Sequence, residues 1–336
     1  MNTLQGRALR YLFRLSGLAV LALLVLARPS AVQSQSVYPD EPVRIIVPTS
    51  AGGVTDVLGR LVADGLSKAW DKPVIVDNRP GAANQIGLAL VARSKNDGHT
   101  LLVASDAAFT AGPHIHKNAN YDTVKDFTPI LILGQITPTF NVPASLPVNS
   151  IEEFVKLAKS KPSGLNYASF GIGTYAHLAM EDLKQRVGMA MEHIPYRGST
   201  PATTALLRGD VAAMIVNLNV IADHAKAGKV KILAAAGPKR SSFRPDLPTI
   251  SETVAPGFST GAWWGVFGPA DLPQDVVRKI RSDARSFLNS PETRKFFAAN
   301  TIEPVEMSQA EFADAIRADR DRWGALIRSV GIEVPK

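Results

Sequence analysis

The chain has 336 residues, 46% of them hydrophobic, no cysteine, and a formal charge of +7. Without cysteine there can be no disulfide, thiolate metal site or cysteine nucleophile. The charge suggests a nucleic-acid partner, but four of the 37 basic residues (Arg7, Arg10, Arg14, Arg28) and none of the 30 acidic ones precede Val37, which leaves +3 beyond it and no basic block to follow a phosphate backbone.

Arg7, Arg10 and Arg14 lead into an apolar run of 13 residues, Leu15–Ala27, followed by a small and polar stretch to Ser36. This is the layout of a secretory signal peptide. The run falls short of the roughly 20 residues that span a bilayer. Ser34 and Ser36 place cleavage after Ser36, the alternative being an uncleaved anchor. The exported chain from Val37 is long enough for two domains, at about 100–200 residues each. A free periplasmic protein fits best, since the absence of cysteine also removes any lipidation site.

From there strands and helices alternate, which predicts parallel sheets covered by helices. Val43–Pro48 is a short apolar strand. A helix follows over about 55–70, with Val57, Leu58, Leu61, Val62 and Leu66 at helical spacing. Strands at 74–77 and 100–105 flank a helix at about 83–92, giving a βαβαβ unit with its loops at the carboxyl ends of the strands. Ser150 and Glu153 open a helix that ends near Ser160. Strands at 165–170, 192–196, 212–216 and 231–235 alternate with helices at about 174–187, 201–207 and 220–227. Helices at about 274–288, 291–299 and 308–330 close the chain, the last with a Ser308/Glu311 capping box. Two segments read as crossings between domains: the proline-punctuated stretch 134–147, and the aromatic strand 261–269, in which Trp263 and Trp264 read as a packed hinge. Ligands of such α/β pairs tend to sit in the cleft between the domains.

The recurring chemistry is glycine at strand-to-helix turns: Ser50-Ala51-Gly52-Gly53, Gly81-Ala82-Ala83-Asn84, Gly171-Ile172-Gly173-Thr174 and Gly198-Ser199-Thr200. A helix amino-terminus offers unpaired N–H groups and partial positive charge. Four such ends in one cleft make a carboxylate site that needs no lysine or arginine. Any one of these turns could be merely tight; four together, two per domain, favour a ligand. Asp56 could instead hold its own loop by an N-cap bond, and His177 could either touch a ligand or bond within the fold. Gly171-Ile172-Gly173-Thr174-Tyr175-Ala176 mimics a dinucleotide fingerprint, but Glu192 begins its strand instead of ending it, where a ribose would need it. His114 and His116 lack a nearby third ligand and read as a solvated loop. No nucleophile–base pair is legible, so neither catalysis, cofactor nor metal is expected.

The loops, in order, resemble the tripartite tricarboxylate transporter solute-binding proteins (the TctC or Bug family). The matching segments are Tyr38-Pro39 with Pro42, Val47-Pro48, Gly52-Gly53 with Asp56, Asn78-Arg79-Pro80-Gly81-Ala82, and Asp97-Gly98 with Thr100-Leu101-Leu102. Further on they are Tyr121-Asp122, Lys125-Asp126-Phe127 with Pro129, Tyr167-Ala168-Ser169, His177-Leu178, His193-Ile194-Pro195-Tyr196-Arg197-Gly198, Ala227-Gly228-Lys229 and Pro248-Thr249. The resemblance implies an α/β two-domain periplasmic binding protein of the Venus-flytrap, type II-like kind. Each domain would be a mostly parallel sheet flanked by helices, with two interdomain crossovers. Domain one would comprise 37–139 and 262–336, and domain two 140–261. A small mono- or dicarboxylate, aliphatic or aromatic, would be captured between them by closure. It would be delivered to a tripartite-type membrane permease, or sensed for a membrane sensor kinase; an exported hydrolase is the remote alternative. A monomer is expected.

The site carried over comprises Ser50, Ala51, Gly52, Gly53, Thr55, Asp56, Ala83, Asn84, Gln85 and Ser105 from domain one. Domain two supplies Gly173, Thr174, His177, Ser199, Thr200 and Asn217. Three departures bear on specificity. Thr49, Ser50 and Ala51 stand where the family often has an aromatic and two prolines. Ala83-Asn84-Gln85 replaces Gly-Gly-Asn. Val216, followed by Asn217, stands where an aspartate is common.

Overall fold

The computed structural model describes residues 38–116, 119–161 and 164–331; the expected signal peptide and its cleavage point lie outside them. Tyr38–Asp40 fall outside the compact unit that begins at Glu41, and every element below lies within that unit.

The first lobe begins with β1 (Val43–Val47), α1 (Val54–Trp70), β2 (Val74–Asn78), a 3-10 turn (Ala82–Asn84), α2 (Gln85–Ala92) and β3 (Thr100–Ser105). β1 pairs in parallel with both β2 and β3. A strand covered on both faces must be apolar at nearly every position, and Val43, Ile45, Ile46 and Val47 are all buried. Leu58, Val62, Leu66 and Trp70 recur every four residues along α1 and form its buried stripe.

Two short helices follow, α3 (Asp106–Phe109) and α4 (Gly112–Ile115), and then β4 (Phe127–Ile136) and β5 (Pro138–Pro143). These two strands fill most of the stretch 134–147 read as a crossing, and the chain passes from one sheet to the other between them. Ile130, Leu131, Ile132 and Leu133 are core residues, so the run pairs as a strand despite its neighbours. Pro138 takes the first position of β5, where a missing N–H costs little, and its carbonyl still accepts from Ala236. The passage from one sheet to the other is thereby confined to Thr137.

The second lobe continues with α5 (Ile151–Ser160), β6 (Asn166–Ser169), α6 (Tyr175–Val187), β7 (Glu192–Pro195), α7 (Ser199–Arg208), β8 (Ala213–Asn217), α8 (Leu218–Lys226), β9 (Val230–Ala235) and α9 (Ile250–Thr253). The chain then returns through β10 (Ala262–Pro269) and ends with α10 (Gln274–Leu288), α11 (Pro291–Ala299), β11 (Ile302–Glu303) and α12 (Gln309–Val330). The sheets are ordered β11-β4-β10-β3-β1-β2 and β7-β6-β8-β5-β9.

This is a two-domain α/β fold, and both sheets are mixed. β1, β2 and β3 are parallel to one another, as are β6, β7 and β8, whereas β10 runs antiparallel to both β3 and β4, β11 antiparallel to β4, and β5 antiparallel to β8 and β9. For β10 and β5 the reason is the crossing itself. A strand entering a sheet from the other lobe starts at the edge where the βα strands end, so it must run against them. α12 spans both lobes: its Trp323, Leu326 and Ile327 pack with Ala111 of the first and Leu178 of the second.

Candidate functional site

The registers bring the carboxyl ends of the parallel strands to one line. Asn217, at the end of β8, lies opposite Pro138; Trp264 lies opposite Ser105, the last residue of β3; Ala262 lies opposite Ile136. Both crossings therefore run along the edge from which the glycine loops of each lobe project.

In the first lobe Ser50, Ala51, Gly52 and Gly53 are exposed. Gly53 is the N-cap of α1, and no side chain caps that end. Gly52 has φ +89° and Gly53 an ordinary φ of −80°, so only the first needs glycine for its backbone. A Cβ on Gly53 would meet nothing nearer than the Ser50 carbonyl at 3.9 Å; packing does not demand a bare backbone there. Asp56 is 2% exposed. Its carboxylate accepts from Gly52 N–H (2.9 Å), Asn78 Nδ2 (2.9 Å) and Arg60 Nε (3.0 Å). Burial alone would raise its pKa, but these three donors outweigh burial and hold it below the ordinary value. The bond runs backward from the third helical residue to Gly52, not forward as in an N-cap. Thr55 Oγ1 accepts from Trp264 Nε1 at 3.1 Å. Both side chains thus fasten the loop.

Gly81, Ala82, Ala83 and Asn84 all have positive φ, from 45° to 123°. For the three non-glycine residues this is strained backbone, at roughly 1–2 kcal/mol each, of the kind that collects at functional sites. The turn delivers Gln85 to the start of α2, again without a side-chain cap. Ser105 is the uncapped N-cap of α3.

In the second lobe the loop 171–174 is held from beneath. Thr174 Oγ1 donates to the Gly171 carbonyl (2.7 Å), and Gly173 N–H donates to His177 Nδ1 (3.1 Å). His177 therefore bonds within the fold, its ring stacked on His193 at 3.9 Å, and His193 is stacked in turn on Tyr167 at 4.9 Å. His193 Nε2 lies 2.6 Å from Ser169 Oγ, which bonds both main-chain groups of Gly171. Burial, and then the neighbouring His177, push His193 down to about 4; burial also lowers His177. Both imidazoles are neutral at pH 7. Ser199 and Thr200 form the first turn of α7, behind the uncapped Gly198. Asn217 accepts a hydrogen bond from the Tyr175 hydroxyl.

Reading the sequence did not single out Asp106, Tyr175 or His193. Asp106 directly follows the β3 carboxyl end, and the rule that ligands bind beyond strand ends was the available signal. His114 corrects the solvated-loop expectation: it lies on α4, half-buried, with Nε2 2.8 Å from the Arg320 carbonyl of α12. Among the described residues no group of three His, Cys, Asp or Glu could hold a metal ion.

The helix starts differ by position. Where α5, α9, α11 and α12 begin, Ser150, Thr249, Ser290 and Ser308 cap them with a side-chain oxygen. The starts of α1, α2, α6 and α7, at the four glycine loops, have no such cap.

Comparison with known proteins gives a consistent picture. Residues 58–332 match the family model described as the tripartite tricarboxylate transporter family receptor. A UPF0065 protein of Bordetella pertussis is 33% identical over 319 residues, covering 94% of this chain and 97% of that one. A TctC solute binding protein from Polaromonas, solved with no ligand, superposes with a TM-score of 0.80 at 29% identity, covering 87% of this chain and 99% of that one. The R. palustris protein Rpa4515, solved with adipate, gives a TM-score of 0.70 at 30% identity, covering 88% and 99%.

Proposed function

The chain belongs to the tripartite tricarboxylate transporter receptor family, and we propose that it captures a small carboxylate in the periplasm by closing its two lobes and delivers it to the membrane permease of such a transporter. The family is one of solute-binding receptors, not enzymes. What carries the reading is the contrast in helix capping. Side-chain oxygens cap the starts of α5, α9, α11 and α12, whereas those at the four glycine loops are open, as is the start of α10 behind Pro273. An uncapped start retains its N–H donors and its partial positive charge for an anion. At roughly 0.3–1 kcal/mol for an exposed end and up to about 2 kcal/mol for a partly buried one, four ends supply at most about 8 kcal/mol, and a micromolar Kd corresponds to about 8 kcal/mol. The adipate bound by the R. palustris relative is a ligand of this chemical class.

The glycine at position 53 tests the site. Its φ is ordinary and the space around its Cβ position is open, so Gly53→Leu should fold and melt like the parent while its side chain fills the anion position. Calorimetry against a panel of short mono- and dicarboxylates should show at least a hundredfold loss of affinity. Unchanged binding would remove α1 from the site. Amino-terminal sequencing of the protein recovered from the periplasm should begin at Val37.

A further inference from the structure

We infer that α12 is a strap belonging to the first lobe, along which the second lobe slides when the cleft closes; this rests on the receptor function proposed above. Ser50, Ala51, Gly52 and Gly53 are exposed, and Ile172 in the second lobe is 40% exposed. The glycine loops of the two lobes therefore stand apart here, and closure has still to bring them together.

The amino-terminal part of α12 is built into the first lobe. Phe312 and Ile316 are buried in the same core as Ile46, Leu102 and Phe267. The Phe312 ring lies 5.2 Å from that of Trp263 and 5.6 Å from that of Phe267, and a Cβ on Gly265 would come within 2.6 Å of it. Directional bonds continue the attachment along the helix. Arg320 donates to the Asp122 carboxylate at 3.0 Å, and its carbonyl lies 2.8 Å from His114 Nε2. One turn on, a Cβ on Gly324 would come within 2.4 Å of the His114 ring, so the helix accepts a residue that disfavours helix in order to seat that ring.

The attachment to the second lobe is of another kind. Trp323, Leu326 and Ile327 pack on Leu178 of α6 and on Ala111, and Gln185 Nε2 donates to Ser329 Oγ across 3.4 Å. Apolar contact has no preferred direction, and helices packed in this way shift past one another by about 1–2 Å. Arg322 also donates to the Ser259 carbonyl, but Ser259 lies just ahead of Gly261, where the chain crosses back. A Cβ on Gly261 would come within 2.9 Å of the Ile136 carbonyl, so the two crossings form one pivot, and a rotation displaces Ser259 least. Leu178 couples the sliding face to the site. Its N–H donates to the Thr174 carbonyl at 3.0 Å, so movement of α6 along α12 carries the loop 171–174 towards the loop 50–53.

A chain without cysteine lends itself to cross-linking. The double variants Gln185→Cys/Ser329→Cys and Asp122→Cys/Arg320→Cys are each bridged by a short bis-methanethiosulfonate linker that reductant cleaves. They are titrated by calorimetry with propionate, butyrate, succinate and adipate, beside the parent. Bridging 185 to 329 should cut affinity at least tenfold for the acid that the parent binds most tightly, and reduction should restore it. Bridging 122 to 320 should leave affinity within twofold. A loss of less than tenfold with 185 bridged to 329, or of more than twofold with 122 bridged to 320, overturns the inference and leaves the receptor function standing. No binding of any of the four acids by the parent overturns both. If a variant does not fold, or stays impaired when reduced, crystal structures of the parent with and without that acid decide. Phe312 should keep its distance from Phe267 while Leu178 moves against Trp323 by about 1–2 Å or more; a Leu178 that stays in place overturns the inference.

Discussion

Removing the Asp56 carboxylate should both destabilise the protein and loosen the first cleft loop. Asp56→Ala deletes an acceptor that is 2% exposed and holds three donors. Their losses differ. Gly52 N–H is left without a partner, and a charge-assisted bond of this kind is worth about 1.5–3 kcal/mol. Asn78 keeps its second bond, to the Thr49 carbonyl at 3.0 Å, so its loss is about 1 kcal/mol. Arg60 is 56% exposed on its side chain and returns to water for under about 1 kcal/mol. Relief of the buried charge offsets part of this, and the net is about 2–3 kcal/mol, or a fall in Tm of roughly 5 °C.

The effect must depend on pH with a definite sign. The folded pKa of Asp56 lies below its ordinary 3.8, so its contribution is complete above pH 4 and fades as pH falls through the folded value. Melts of parent and variant should therefore differ at pH 6–7, and the gap should shrink as pH falls below 3.8. A variant that melts within 1 °C of the parent at neutral pH, or a gap that widens in acid, would refute the assignment of this carboxylate to the loop.

Two further outcomes follow from the second lobe and the tail. The unfolded chain binds more protons than the native one between about 6.5, the ordinary histidine value, and about 4, that of native His193, so stability should be full above pH 7 and fall across that window. The ceiling is roughly 3 kcal/mol, reduced to ~1–2 kcal/mol by water around the partly exposed ring; denaturant titrations at pH 7.5 and 4.5 measure it, and His193→Gln should flatten the difference. Ser308→Ala breaks a capping box in which both bonds are made and should lower stability by about 1 kcal/mol with carboxylate affinity unchanged, as paired melts and calorimetry would report.

The parts of the fold that could be read in the sequence are those with local rules. β1 is apolar because both its faces are covered, and α1 repeats its buried positions every turn. Ser308 and Glu311 form the expected box. The Ser150 box is made in a shifted form, with Glu153 reaching the N–H of Asn149. β4 and β5 were hidden because proline argues against a strand, and only the register shows Pro138 in a position that tolerates it. α3 and α4 are too short to show a period. The site divides in the same way. The glycine loops are visible because their residue type is forced by turn geometry. Asp106 against Tyr175, and His177 against His193, are contacts between distant segments with no shared local spacing. The loop expected around His114 is closed by α12, some 200 positions further on.

The uncapped helix starts tie stability to ligand. A serine or threonine cap contributes about 1 kcal/mol over alanine but only a few tenths over glycine, so the four glycine-loop starts, two of them with a glycine cap, together leave roughly 2–3 kcal/mol unclaimed in the free protein. Asp56, the Trp264–Thr55 bond and the histidine stack under the loop 171–174 each hold a loop in place, Asp56 through Gly52 N–H and His177 through Gly173 N–H. Such support fixes the donors before the anion arrives, so less ordering entropy is lost on binding. It also makes the two lobes unequal. The first lobe is fastened by a carboxylate that weakens only below pH 4, whereas the second is fastened by neutral imidazoles that begin to be opposed below about pH 6.5. In mild acid the second lobe's loop should therefore loosen while the first keeps its form, and carboxylate affinity should decline at a pH where the Asp56 loop is still intact.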